Sequence, residues 1–358
     1  MTRRIFDSHL DLAWSAVFYN RDLTQPLEAI RAREAGMTDV RGRGRNVLCL
    51  PELRRAGVGV CVTTLLARSG PAQTPQPAYA RTDLDYAAPS LAHAAAHAQL
   101  AYYRWLEQQG QVRILRTARE LAEHWTANDA TSLGIILSME GTDPITTPDE
   151  ARDWYAAGLR AAGLAHYGRG QHAYGTGVEG PLSSGGIELL RVMDDLGMIL
   201  DVTHLCDLSM KQALDYFEGP VLASHHNCRA LVPGDRQLTD EQIRQIVGRG
   251  GVIGVALDAW MLYPGWLRGQ TQPEVVGLAA LADHIDRICE IAGDRKHAAL
   301  GTDLDGGFGN EQTPRELRVY GDLQLLGGIL ADRGYGDGEI DGIFHRNWLE
   351  FFGRALPA

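Results

Sequence analysis

His9-Leu10-Asp11 closes the first apolar run of the chain, and an imidazole and a carboxylate at the mouth of a strand can reach one cation from the same sheet edge. Glu140, His166, His204, His225 and Asp303 close later short apolar runs in the same manner. A lone strand-end histidine is more often satisfied by hydrogen bonds than by a metal. Repetition on successive strands changes that balance and points to one polymetal hydrolytic site. His204 ends Leu200-Asp201-Val202-Thr203-His204, and His225 ends Leu222-Ala223-Ser224-His225. Neighbouring strands lie about 4.8 Å apart, so these two imidazoles can share a cation. His9 and Asp11 can hold a second. Two adjacent cations need a bridging anion, and Glu140 in Ser138-Met139-Glu140-Gly141 is the carboxylate placed for it. Asp303, in Gly301-Thr302-Asp303-Leu304-Asp305, is placed to accept a proton from an activated water and return it to a leaving amine. Asp305 competes for that role but falls farther into the loop.

Eight short apolar or β-branched runs must position these groups: Arg4–Asp7, Val58–Ala67, Gly134–Met139, Gly158–Ala165, Met198–Thr203, Val221–Ser224, Val252–Leu257 and His297–Gly301. Helical periodicity separates them at Leu91–Gln109, Ile187–Leu196, Ser209–Phe217, Asp240–Gly248 and Val276–Ala292. Continuous apolar strands alternating with amphipathic helices predict parallel pairing through right-handed crossovers. Eight strands with chemistry at their ends predict a closed (β/α)₈ barrel of TIM type, in which the first and last strands become neighbours. The fourth run also reads as a helix end. We expect a single domain over residues 1–358, with an Arg-rich insertion at 19–51 and a Pro-rich one at 69–89 that is either an ordered loop over the site or solvent-exposed padding.

A formal net charge of −11 opposes nucleic-acid and anionic-membrane partners. No apolar stretch is long enough for a signal peptide or a bilayer span. The five cysteines are odd in number, scattered and free of Cys-x-x-Cys spacing, which predicts a reduced, cytoplasmic protein. No dinucleotide or Walker fingerprint occurs. His93 and His97 lie one helical turn apart without the glutamate of the zinc-protease helix and read as a helix face. His226 is expected to point away from His225. Ser183, Ser184 and Ser224 lack a nucleophile-elbow setting.

These motifs together resemble the renal or membrane dipeptidases, binuclear zinc metallopeptidases on an amidohydrolase-like barrel. The resemblance runs from Asp7 to about Phe352. Its motifs are Asp7-Ser8-His9-Leu10-Asp11-Leu12, Met139-Glu140-Gly141, Leu164-Ala165-His166, Leu200-Asp201-Val202-Thr203-His204-Leu205, Ala223-Ser224-His225-His226-Asn227-Cys228-Arg229-Ala230, Asp235-Arg236-Gln237-Leu238-Thr239-Asp240 and Gly301-Thr302-Asp303-Leu304-Asp305-Gly306. It implies two zinc ions, manganese or cobalt being acceptable, with His9 and Asp11 on one, His204 and His225 on the other and Glu140 across both. It implies a hydroxide between the metals attacking a dipeptide carbonyl, with Asp303 handling its proton and His166 steadying the oxyanion. It further implies that Arg236 holds the substrate's free carboxylate, that a D-residue is tolerated at the carboxyl end, and that a homodimer is compatible with the fold. Leu10 stands where the family usually has Asn, and Thr142-Asp143-Pro144, Leu257–Met261 and the Gly-Arg-Gly-Gln-His loop after His166 also depart from its pattern. These departures border the pocket and concern substrate choice. A non-peptide amide or lactam, such as an N-acyl amino acid, is the alternative substrate, and a catalytically silent metal-binding scaffold the alternative of another class.

Overall fold

The computed structural model describes residues 2–70, 85–127 and 131–358. Eight parallel strands follow one another in chain order: β1 Ile5–Leu10, β2 Val58–Leu66, β3 Leu133–Glu140, β4 Leu159–Gly163, β5 Ile199–Asp201, β6 Val221–Leu222, β7 Ile253–Val255 and β8 Ala298–Leu300. The first six form one curled sheet, to which the short strand Val112–Ile114 adds by pairing with the start of β3, and the last two form a second pair. A parallel bridge between Ala223 and Ile253 joins the two. Every residue of β1 and β3 is buried, as continuous apolar strands covered on both faces require.

Closure between β8 and β1 depends on side chains. The Asp7 carboxylate accepts from the Thr302 amide (2.9 Å), the Thr302 hydroxyl (2.5 Å), the Tyr320 hydroxyl (2.6 Å) and the His9 amide (3.1 Å). The Asp303 amide donates to the His9 carbonyl at 3.2 Å. Across the interior, the Ser8 hydroxyl lies 2.5 Å from the Ser224 carbonyl oxygen and 3.1 Å from that of Leu300. Strands come this close because two of them carry glycine: a Cβ on Gly301 would stand 1.8 Å from the Ser224 carbonyl oxygen, and one on Gly254 2.0 Å from it.

One end of the barrel is filled. Phe6, Val60, Val62, Ile136, Ala161, Ile199, Leu222, Val252 and Ala299 cluster with Trp348, Phe351 and Phe352 of the last helix, Asn347–Ala355. The Phe6 and Phe352 rings stack at 5.2 Å, and the Trp348 indole donates to the Leu300 carbonyl at 2.8 Å. This plug leaves the strand C-terminal ends as the open mouth.

All eight expected strands form; the first and third run past their expected ends and the others are trimmed. The fourth is Leu159–Gly163, and Gly158, at φ 117°, terminates the helix Ala151–Ala157 before it. The first reaches Leu10, so His9 lies inside β1 rather than past it. The five expected helices form at Pro89–Gln108, Ser184–Leu196, Asp207–Tyr216, Asp240–Gly248 and Leu278–Ala292. Thr239 and Gln242 make a capping box at the start of the fourth. The helices Leu12–Phe18, Ala118–Ala127, Ala151–Ala157 and Asn347–Ala355 were not foreseen. Within 19–51 lies the helix Leu27–Arg33, and the Val47 and Leu48 amides donate to Asp305. Most of the Pro-rich stretch, 71–84, lies outside the described residues. Among those described, no helix is long and apolar enough to cross a membrane, and all five cysteines are free and buried.

Candidate metal centre

The mouth of the barrel brings every metal-ligating residue expected from the sequence to one place. Glu140 ends β3 beside Gly163 of β4. His166, His204, His225 and Asp303 each stand three residues past the ends of β4, β5, β6 and β8. His204 (φ 68°) and Asp303 (φ 57°) adopt the left-handed conformation, uncommon for such residues and a feature of constrained sites. Gly306 makes room for Asp303, since a Cβ there would lie 2.0 Å from Asp303 Oδ1.

Glu140 divides its two oxygens between two groups. Oε1 lies 3.1 Å from His204 Nε2, 3.4 Å from His225 Nε2 and 3.7 Å from His166 Nε2. Oε2 lies 3.6 Å from His9 Nε2, which is 3.7 Å from Asp11 Oδ1 and 3.9 Å from Asp303 Oδ1. Glu140-His204-His225, His9-Asp11-Glu140 and His9-His225-Asp303 therefore each present a compact ligand trio.

The histidines are aimed by partners on their far nitrogens. Thr176 Oγ1 lies 3.2 Å from His204 Nδ1 and its hydroxyl donates to the His204 carbonyl (3.3 Å), which makes Nδ1–H the donor and leaves Nε2 a bare lone pair. Ser224 Oγ lies 2.9 Å from His225 Nδ1 and 3.3 Å from His9 Nδ1, and donates to Thr203 Oγ1 at 3.3 Å. Such partners fix tautomer and ring orientation in metal sites. Asp11 accepts from the Thr64 hydroxyl. Sequence reasoning missed these orienting groups; only Ser224, next to His225, left any mark in the motif.

The donor set fits divalent cations. His204 Nε2 and His225 Nε2 lie 3.1 Å apart, with the Glu140 oxygen close to both. Lone pairs converging this way repel unless a proton or cation lies between them. His9 Nε2 and Glu140 Oε2 are buried with no hydrogen-bond partner among the described residues. Burial lowers His204 and His225 well below the ordinary imidazole range, keeping them neutral and ligand-ready. Burial raises the Glu140 carboxyl, but His166, His9 and His204 overcome it and hold it well below the usual range. Burial also drives Asp303 well above its usual value, with Asp11 and Glu140 adding to it against His9.

His166 borders the trios, its ring 4.3 Å from that of His204, and burial pushes it down to about 3, so it stays neutral. Arg236 is fully buried. Its Nη2 donates to the His225 carbonyl at 2.9 Å, and Nη1 has no partner among the described residues. Asp305, the rival to Asp303, is committed to the Val47 and Leu48 amides. His226 turns from the trios as expected, its Nε2 accepting from the His204 amide at 3.4 Å. His93 and His97 meet edge to face on the helix Pro89–Gln108, and His97 stacks on Trp154.

An imidazole–carboxylate cluster at the C-terminal mouth of such a barrel defines a metal-dependent hydrolase architecture. The family model described as Membrane dipeptidase (Peptidase family M19) matches residues 2–356, and the chain belongs to that family of metallopeptidases. An uncharacterized protein in the pqqA 5′ region of Klebsiella pneumoniae is 30% identical over 266 residues, covering 70% of this chain and 92% of that protein. Dipeptidase verJ of Clonostachys rogersoniana is 27% identical over 243 residues, covering 66% of this chain but only 58% of its own length. Among solved structures, the dipeptidase AC superposes with a TM-score of 0.80 at 22% identity over 100% of both chains. A Rhodobacter sphaeroides metallo peptidase bound to a phosphinate mimic of L-Ala-D-Ala superposes at 0.78, with 22% identity, over 99% of this chain and 100% of that one.

Proposed function

We propose that the protein is a binuclear metal dipeptidase that hydrolyses dipeptides, including those with a D-residue at the carboxyl end. The observation that carries this reading is Glu140, whose two oxygens face two separate ligand groups while Oε2 and His9 Nε2 have no hydrogen-bond partner among the described residues. His9, Asp11 and Glu140 would hold one ion and His204, His225 and Glu140 the other, zinc being the cation best suited to imidazole and carboxylate. Bound there, the pair would polarise the peptide carbonyl and acidify the attacking water.

The remaining chemistry belongs to the chain. Asp303, at the rim of the mouth beside His9, accepts the proton of the water as its oxygen bonds to the carbonyl carbon. Neutral His166 offers an N–H to the oxygen that gains charge. The C–N bond then breaks, and Asp303 passes its proton to the departing amine. Arg236 offers its free Nη1 to the terminal carboxylate. A bound L-Ala-D-Ala mimic in the Rhodobacter sphaeroides neighbour supports the substrate class and its stereochemistry.

The test is metal analysis followed by a dipeptide panel that includes L,D pairs. We expect near two zinc per chain and dipeptide turnover. Asp303→Asn is expected to lower kcat about 10²–10⁴-fold while keeping the metal. A zinc-loaded protein inert to every dipeptide but active on N-acyl amino acids would replace this reading with the amide-hydrolase alternative.

A further inference from the structure

The rim position three residues past the strand end carries His166, His204, His225 and Asp303 on β4, β5, β6 and β8. On β7 that position is Asp258, which the reaction above does not use. Asp258 is 4% exposed. It accepts from the Trp260 amide (3.4 Å), the Trp260 indole (2.7 Å) and the Gln312 amide (2.9 and 3.1 Å). All these donors are neutral. Its ion-pair partner, Arg268, stops at 3.8 Å with 45% of its side chain in water, its guanidinium 5.0 Å from the Trp260 ring centre. Neutral dipoles solvate a carboxylate without cancelling its charge, and a solvent-screened cation cancels it only in part. Burial accordingly pushes Asp258 up to about 6, against the pull of Arg268.

Arg236, whose Nη1 has no partner among the described residues, gives the β6 side of the mouth the opposite charge. The two sides are fastened together. The Met261 carbonyl, in the turn that follows Asp258, accepts from Gln237 Nε2 (2.8 Å) and Asn227 Nδ2 (3.3 Å). Tyr167 borders the same mouth, its ring 5.0 Å from that of His204. Burial raises its phenol, Arg236 and Arg268 lower it, and Asp258 and Asp303 raise it.

We propose that Asp258 makes the mouth selective for substrates with a free α-ammonium: cationic at Arg236 and anionic at Asp258 and Asp303, it takes a zwitterionic dipeptide and rejects the N-acylated amino acid. This rests on the hydrolytic reading above and names its substrate class. Asp258 is a positioning residue, acting through its charge on the ammonium end and not on the reacting atoms.

The test compares kcat/KM of the zinc-loaded enzyme for L-alanyl-D-alanine and for N-propionyl-D-alanine, the same molecule without its ammonium. The wild type is expected to prefer the dipeptide about 100-fold or more. Asp258→Asn is expected to shrink that preference at least tenfold through a higher KM for the dipeptide. Gln312→Lys, which sets a fixed cation against the same carboxylate, is expected to do likewise and serves if the first variant does not fold. An unchanged preference overturns the inference, as does an equal loss on both substrates, the mark of a purely structural carboxylate. A wild-type enzyme inert to dipeptides overturns the hydrolytic reading and this inference with it, whereas an active one whose variants keep their preference overturns the ammonium selectivity alone.

Discussion

At the scale of single residues, the two ends of the proposed substrate are met by groups of different kinds. Arg236 is buried with one nitrogen anchored on the His225 carbonyl, so its remaining donor is pre-aimed and costs little entropy to engage. Arg236→Met should raise KM for dipeptides at least tenfold while changing the kinetics of the corresponding C-terminal amides little. A parallel loss on acids and amides would remove its carboxylate role. His166 is less constrained, since its Nδ1 has no partner among the described residues. That freedom suits a donor that must follow an oxygen from trigonal to tetrahedral geometry.

At the scale of elements, the site depends on how tightly β1, β6, β7 and β8 are drawn together. Ser8 touches the Ser224 and Leu300 carbonyls, and Ser224 in turn steers His9 and His225. The contact is possible only because Gly254 and Gly301 present no side chain. Gly301→Ala would drive a Cβ against the Ser224 carbonyl oxygen at 1.8 Å and Ser8 Oγ at 2.6 Å. Neither backbone has room to retreat, so we expect a loss of about 3 kcal/mol or more in denaturant unfolding, together with weaker metal retention. Gly248→Ala, at a helix end with nothing within 4 Å, is the control and should change stability by less than about 1 kcal/mol. Equal behaviour of the two variants would show that the strands are not so closely set.

At the scale of the whole molecule, folding, protons and metal are linked. Burial lowers His9, but Glu140, Asp11 and Asp303 raise it to about 10, so below that pH the metal-free centre carries a proton on a ligand atom. A cation must displace it. Metal uptake should therefore release protons, and apparent affinity should climb as pH rises toward that value. Metal binds the folded chain alone to a first approximation, so free zinc at about 100 times Kd should add roughly 2.7 kcal/mol of stability and raise Tm. Calorimetry in two buffers of different ionisation enthalpy, with melting curves before and after chelation, reads both effects. Uptake without proton release, or a Tm indifferent to chelation, would contradict the linkage.

Strand positions and the side chains that gather at the mouth were readable in the chain itself, because apolar runs and the residue types that end them are local properties. His9, Glu140, His204, His225 and Asp303 were marked by strand endings, whereas Asp258 entered only within Leu257–Met261, a segment that departs from the family pattern. The short helix Leu12–Phe18 escaped notice because its first five residues, Leu12 to Ala16, are all buried and leave no amphipathic period. Only the folded chain decided that Thr176 and Ser224 aim the histidines and that Asp7 closes β8 onto β1. Each of these is a contact between segments that approach only when the sheet curls, and no local pattern encodes a distance across a barrel.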